Sequence, residues 1–155
     1  MLTHTLQLRS DLRDICLLSE AVDRFAAKAA MSDVKRGELQ VALEEVATNV
    51  IKYGYGQCGV HSFAVTLTLD GEEVIAEAED DAPAYDPLAR ADSDITLPLD
   101  ERPIGGLGVR MVKHLMDAVH YERRGEKNVL TLRCKRTDSE SARFSGGPAT
   151  TSYRH

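Results

Sequence analysis

Leu2, His4, Leu6 and Leu8 alternate with Thr3, Thr5, Gln7 and Arg9. A period of two predicts a strand with one face inward. The period then changes. Ile15, Leu18, Val22, Phe25 and Ala29 recur at helical spacing, so residues 11–31 read as a helix, with Ser10 as its N-cap. Ser32 caps a second helix, residues 33 to about 53, which Gly54, Gly56 and Gly59 bring to an end. Residues 62–69 alternate through Phe63, Val65, Leu67 and Leu69, and Asp70-Gly71 signals a hairpin. Residues 72–79 return with Val74, Ala76 and Ala78 on one face. Residues 81–104 hold four of the five prolines and no clear period, the mark of a functional loop or lid. A short helix over 106–116 carries Leu107, Met111, Val112 and Leu115 as its apolar residues. Residues 118–124 and 128–136 form a last hairpin across Gly125-Glu126-Lys127.

The order β-α-α-β-β-loop-α-β-β predicts an α+β fold. It is a two-layer α/β sandwich, with a mixed, mostly antiparallel sheet covered on one face by three helices. Beyond residue 136 the chain is rich in Ser, Thr, Gly and Arg and poor in apolar residues. One domain over residues 1–136 and a disordered tail over 137–155 are therefore expected.

Composition narrows the classes. At 155 residues, 43% hydrophobic and 28% charged, the chain is long enough to bury a core and ordinary for a globular protein. The net charge of −6 comes with no Lys/Arg block, which argues against general nucleic-acid binding. A local phosphate loop is compatible with that charge. No apolar run approaches a membrane span, and the N-terminus lacks the basic start and apolar core of a signal peptide. Cys16, Cys58 and Cys134 are odd in number and widely spaced, giving neither a metal pattern nor a disulfide framework. A reduced, cytoplasmic protein is expected.

Three segments carry candidate chemistry. Wound at about 100° per residue, residues 38–52 place Leu39, Ala42, Leu43, Val46 and Val50 in one stripe. Glu45 and Asn49 stack on the edge of that stripe, while Glu44 lands nearly opposite and should be solvated. An amide oxygen suits Mg²⁺, which accepts few protein ligands when phosphates and waters complete its shell. A carboxylate can take a proton from a hydroxyl or water. The same Glu-x-x-x-Asn spacing also occurs as solvated decoration. Asp80, at the end of the second hairpin strand, can accept a hydrogen bond from an exocyclic amine such as that of adenine; Asp80-Asp81 can equally cap a turn. Gly105-Gly106-Leu107-Gly108 opens a helix whose free N–H groups and dipole favour phosphate. It can equally be a flexible loop. It lacks the Lys-Ser/Thr of a P-loop and the strand–glycine–helix continuity of a dinucleotide fold.

Together the segments resemble the GHKL ATPase superfamily, and within it the stand-alone anti-sigma factor serine/threonine-protein kinases. Glu45-Val46-Ala47-Thr48-Asn49 resembles the N box. Asp80 through Pro87 resembles the first glycine box with its Tyr-Asp-Pro extension. Residues 102–109, followed by Val112-Lys113, Leu115-Met116-Asp117 and Tyr121, resemble the second box and its sequel. Asn128-Val129-Leu130-Thr131-Leu132 resembles the last strand. The resemblance covers residues 5–136 and implies a role for each residue. Asn49 holds Mg²⁺, Glu45 is the general base and Asp80 binds adenine. Gly105, Gly106 and Gly108, with Leu107, line the phosphates of ATP. Thr131 contacts phosphate, Arg102 reaches the terminal phosphate, and residues 88–104 form a lid. One departure is Ala82, where the family has glycine. Alanine there costs little at negative φ and more at positive φ.

The resemblance implies an anti-sigma factor that is also a serine-protein kinase. It would phosphorylate an antagonist protein and sequester a sigma factor, with a PP2C-type phosphatase in the pathway and homodimerisation through the first strand and helix. The alternative is a non-catalytic, ATP-gated binding module in such a partner-switching system. A histidine-kinase fragment ranks last, because only His4 lies in the first 60 residues, on a strand.

Overall fold

The computed structural model describes residues 1–55, 61–88 and 106–138. The chain runs through β1 (Leu2–Arg9), a 3-10 turn (Leu12–Asp14), α1 (Ile15–Ala29), α2 (Asp33–Asn49) and a π-helical turn (Val50–Tyr55). It continues through β2 (Ser62–Asp70), β3 (Glu73–Asp80), α3 (Gly106–Leu115), β4 (Ala118–Arg124) and β5 (Lys127–Lys135). The strands form one sheet in the order β1-β2-β3-β5-β4.

The α+β sandwich with three helices is the expected one, but the sheet is antiparallel at every described pairing rather than mixed. The helical excursion after β1 explains this. α1 and α2 carry the chain back to the end of β1, where Ser10 and His61 tie the two strands together. Ser10 N–H donates to the His61 carbonyl at 2.7 Å, and His61 N–H donates to Ser10 Oγ at 2.8 Å. Ser10 is thus a strand clasp and not the expected helix cap. The cap is Asp11, whose Oδ1 accepts Arg13 N–H at 3.0 Å over the 3-10 turn. Ser32 does cap α2, accepting Lys35 N–H at 3.2 Å.

One face of the sheet is apolar. Phe63, Val65 and Leu67 on β2, Val74, Ala76 and Ala78 on β3, and Leu132 and Cys134 on β5 are buried against the helices. From α1 come Leu18, Val22 and Phe25, and from α2 Leu39, Leu43 and Val46. α2 is the central helix, touching both α1 and α3. In α3 the inward residues are Val109, Val112 and Met116 just beyond its end, while Met111 is 39% exposed. Met111 therefore points out, since the buried stripe runs through Val109, Val112 and Met116. Glu44 is also corrected: it is half-buried and accepts the Ser19 hydroxyl at 2.8 Å, joining α2 to α1. The outer face carries Thr5, Thr66, Glu73, Glu77, Thr131 and Arg133 by register parity. Cross-strand pairs such as Thr5–Thr66 and Arg133–Glu73 lie there. Among the described residues, no helix is long and apolar enough to cross a membrane.

Candidate nucleotide site

The end of β3 fixes the first element of the site. Along β3 the inward positions are Val74, Ala76, Ala78 and then Asp80. The alternation that buries three apolar side chains thus puts a carboxylate at the end of the buried row. Asp80 is 7% exposed and lies opposite Asn128 in the ladder to β5. Its Oδ1 accepts two hydrogen bonds, from Asn128 Nδ2 at 2.9 Å and from Ala82 N–H at 3.0 Å. Neither bond uses Oδ2.

Asn128 is the hub. Its amide nitrogen faces three acceptors, Asp80 Oδ1 and the carbonyls of Ala82 at 3.2 Å and Pro83 at 3.1 Å. Its oxygen faces three donors: the Tyr121 hydroxyl at 2.6 Å, Arg123 Nη1 at 3.2 Å and Tyr85 N–H at 3.3 Å. The partners fix the amide's orientation. They also tie the turn after β3 to the β4–β5 hairpin, a link that Arg123 reinforces by donating to the Ala82 carbonyl at 2.9 Å.

Beneath this network is a pocket of about 550 Å³, its open mouth included. Val46, Val50, Ala78, Leu88, Val109, Val112, Val119 and Leu130 line it, with Tyr85, Pro87 and Tyr121. The polar groups facing it are Asn49, Asp80 and Asn128. An apolar slot with a few convergent polar groups suits a flat heteroaromatic ligand. A buried carboxylate selects one that offers an amine rather than a carbonyl.

α2 supplies Asn49, 8% exposed, from its last residue. The helix then widens into the π-helical turn, a local form frequent at functional sites. Glu45, one turn earlier, is half-buried and faces α3. A Cβ built on Gly108 would fall 2.7 Å from Glu45 Cδ and closer still to Oε2. The base-candidate helix and the glycine-rich helix start are therefore in contact. Gly106, Leu107 and Gly108 lie in the first turn of α3, where backbone N–H groups have no intrahelical partner.

Ala82 is 2% exposed and part of the core. Its φ is not positive, since Ala30 is the one described non-glycine residue with that backbone. The alanine therefore sits without strain, and it contributes its N–H and carbonyl to the Asp80–Asn128 network. Thr131 is the correction. It pairs with Glu77 and His120 on the outer face, while Asn128 and Leu130 face the pocket. The inward alternation of Leu132 and Leu130 leads to Asn128, a parity signal present in the sequence that the resemblance to a threonine-bearing strand obscured. Arg102, Gly105 and the expected lid beyond residue 88 lie outside the described residues.

Comparison with known proteins agrees with this geometry. The family described as "Histidine kinase-like ATPase domain" matches residues 8–134. A serine/threonine-protein kinase, BtrW of Bordetella bronchiseptica, is 29% identical over 110 residues, covering 71% of this chain and 73% of that protein. The fold is similar to a crystal structure of RsbU and RsbW domains from Mycobacterium tuberculosis, with a TM-score of 0.62 at 14% identity over 87% of this chain. The chain spans about a third of the length of that structure, 32%. With the match running from the end of β1 almost to the end of β5, the chain belongs to the histidine kinase-like ATPase family.

Proposed function

We propose that this chain is an ATP-dependent serine-protein kinase of the anti-sigma factor type. It phosphorylates an anti-sigma factor antagonist and sequesters a sigma factor in the cytoplasm, within a pathway that a PP2C-type phosphatase would reverse. The observation that carries this reading is convergence. Asp80 and Asn49 line one pocket, and the contact between Glu45 and Gly108 joins α2 to α3 next to Val46 and Val109, which line it too. The likeness to a serine/threonine-protein kinase supports the reaction type.

Asp80 Oδ2 would accept the adenine amine, with Oδ1 already held by Asn128 and Ala82. The Asn49 amide oxygen would bind Mg²⁺, whose shell phosphate and water complete. Asn49 is 8% exposed and lines the pocket with Asp80, so its one neutral amide oxygen suits a cation whose other ligands are phosphate and water. Mg²⁺ would neutralise charge building on the phosphates. The backbone N–H groups of Gly106, Leu107 and Gly108, which a side chain at any of the three would leave in place, would attend the phosphates together with Gly105 and Arg102. Glu45 would take the proton of the antagonist's serine hydroxyl as its oxygen bonds to the γ-phosphorus. The β–γ bridging P–O bond breaks and ADP leaves. The alternative is a non-catalytic, ATP-gated binding module; Ala82, whose φ is not positive, lends it no backbone strain.

The test is incubation with γ-labelled ATP and a cognate antagonist-type protein. Transfer of label to a serine, abolished by Glu45→Gln with ATP binding retained, is expected. ATP binding without transfer by the wild type would refute the kinase reading.

A further inference from the structure

Four glycines have described surroundings, and they are glycine for different reasons. Gly71 and Gly125 have φ of +64°, which a turn requires, and nothing lies within 4 Å of a Cβ at either, or at Gly37. Gly108 differs on both counts. It sits in a helix without positive φ, where glycine is a poor choice. Yet an added Cβ would overlap the Glu45 carboxylate, 2.7 Å from Cδ, 3.3 Å from Oε1 and nearest to Oε2. The three nearest atoms from elsewhere in the fold all belong to that one side chain, on another helix.

We propose that Gly108 is a positioning residue for Glu45, the bare helix turn being the seat on which the carboxylate rests. The reason for glycine here is then the carboxylate rather than the nucleotide. The crowded atoms are the far end of a flexible side chain, so a methyl group at position 108 turns Glu45 away and leaves α2 and α3 in place. Because the seat lies in the turn whose N–H groups attract phosphate, it sets the distance between proton acceptor and phosphoryl group. The catalytic consequence rests on the kinase reading; the seat itself does not.

The experiment compares wild type, Gly108→Ala, Glu45→Ala and the double variant, in which the methyl has room. ATP affinity is measured by calorimetry, transfer by label, and the Glu45 carboxyl carbon by NMR without nucleotide, assigned as the resonance Glu45→Ala lacks. Gly108→Ala should keep ATP affinity within about threefold of wild type and shift the Glu45 resonance. It should lower transfer by at least about tenfold, towards the Glu45→Ala rate, with no further loss in the double variant. An unmoved Glu45 resonance, with ATP affinity falling about tenfold whether or not Glu45 is present, would overturn the proposal and return Gly108 to the phosphates. If the wild type transfers nothing, the kinase reading fails, and the resonance and affinity results alone decide the seat.

Discussion

Asn128 carries more of the site's polar order than any other side chain. Asp80, Tyr121 and Arg123 all use it as a partner. Asn128→Ala would leave a buried carboxylate short of a donor and a hydroxyl and guanidinium short of an acceptor. We expect ATP binding to weaken and stability to fall by about 1–3 kcal/mol, read by calorimetry and denaturant unfolding. Thr131→Ala, on the outer face, should leave ATP binding unchanged and stability within about 0.5 kcal/mol. If Thr131 proves the sensitive residue, the register assignment is wrong. Ala82→Gly should bring no gain in ATP affinity, because no positive φ waits to be relieved, and should cost about 1 kcal/mol for the lost buried methyl and added chain entropy. A nucleotide titration of that variant tests it. Residue-level legibility was uneven for a physical reason. Asp80 and Asn49 end periodic runs, so periodicity located them. Glu44 was misjudged because a wheel drawn for one helix cannot see α1 covering its far side.

Among elements, the helices were legible where one period ran uninterrupted, as in α1 and α2. The 3-10 turn before α1 and the π-helical turn after α2 were not, because neither leaves a distinctive residue pattern. The end of α1 shows a local compromise. Ala30 closes it at φ 54° and ψ 46°, the left-handed region, with its N–H donating to the Ala26 and Ala27 carbonyls. Glycine is the residue that fits such a cap without penalty. Ala30→Gly should therefore stabilise the protein by about 1 kcal/mol, seen as a raised midpoint in thermal or denaturant unfolding without loss of ATP binding. A lowered midpoint would mean that the Ala30 methyl contributes contacts worth more than the backbone strain.

At the scale of the whole molecule, Cys134 reports on the integrity of the sandwich. It is 1% exposed, and burial pushes its thiol up to about 11. The folded state thus favours the protonated thiol. That contribution to stability is complete below the ordinary thiol value of 9.0 and is lost as pH rises from there through about 11. Unfolding midpoints should decline across that interval, and Cys134→Ala should flatten the decline. At pH 8, alkylation followed by peptide mass spectrometry should modify exposed Cys16 readily and Cys134 only at the rate of molecular opening. Fast Cys134 labelling in the native protein would contradict the packing described.

The two hairpin turns look alike, each a two-residue loop beginning with a glycine at φ 64°. They are unequal as places to graft a sequence. Gly71 lies at the end of the sheet where Glu73 pairs with Lys135, remote along β3 from Asp80. A peptide tag or fluorescent reporter inserted there meets only strand ends. Gly125 lies beside the Asp80–Asn128 pair. One inserted residue that slipped β5 by a single step would turn Asn128 outward and bring Val129 to the pocket. For anyone building a sensor on this scaffold, the loop after β2 is the permissive port, and the loop after β4 is the one whose length spells out the site.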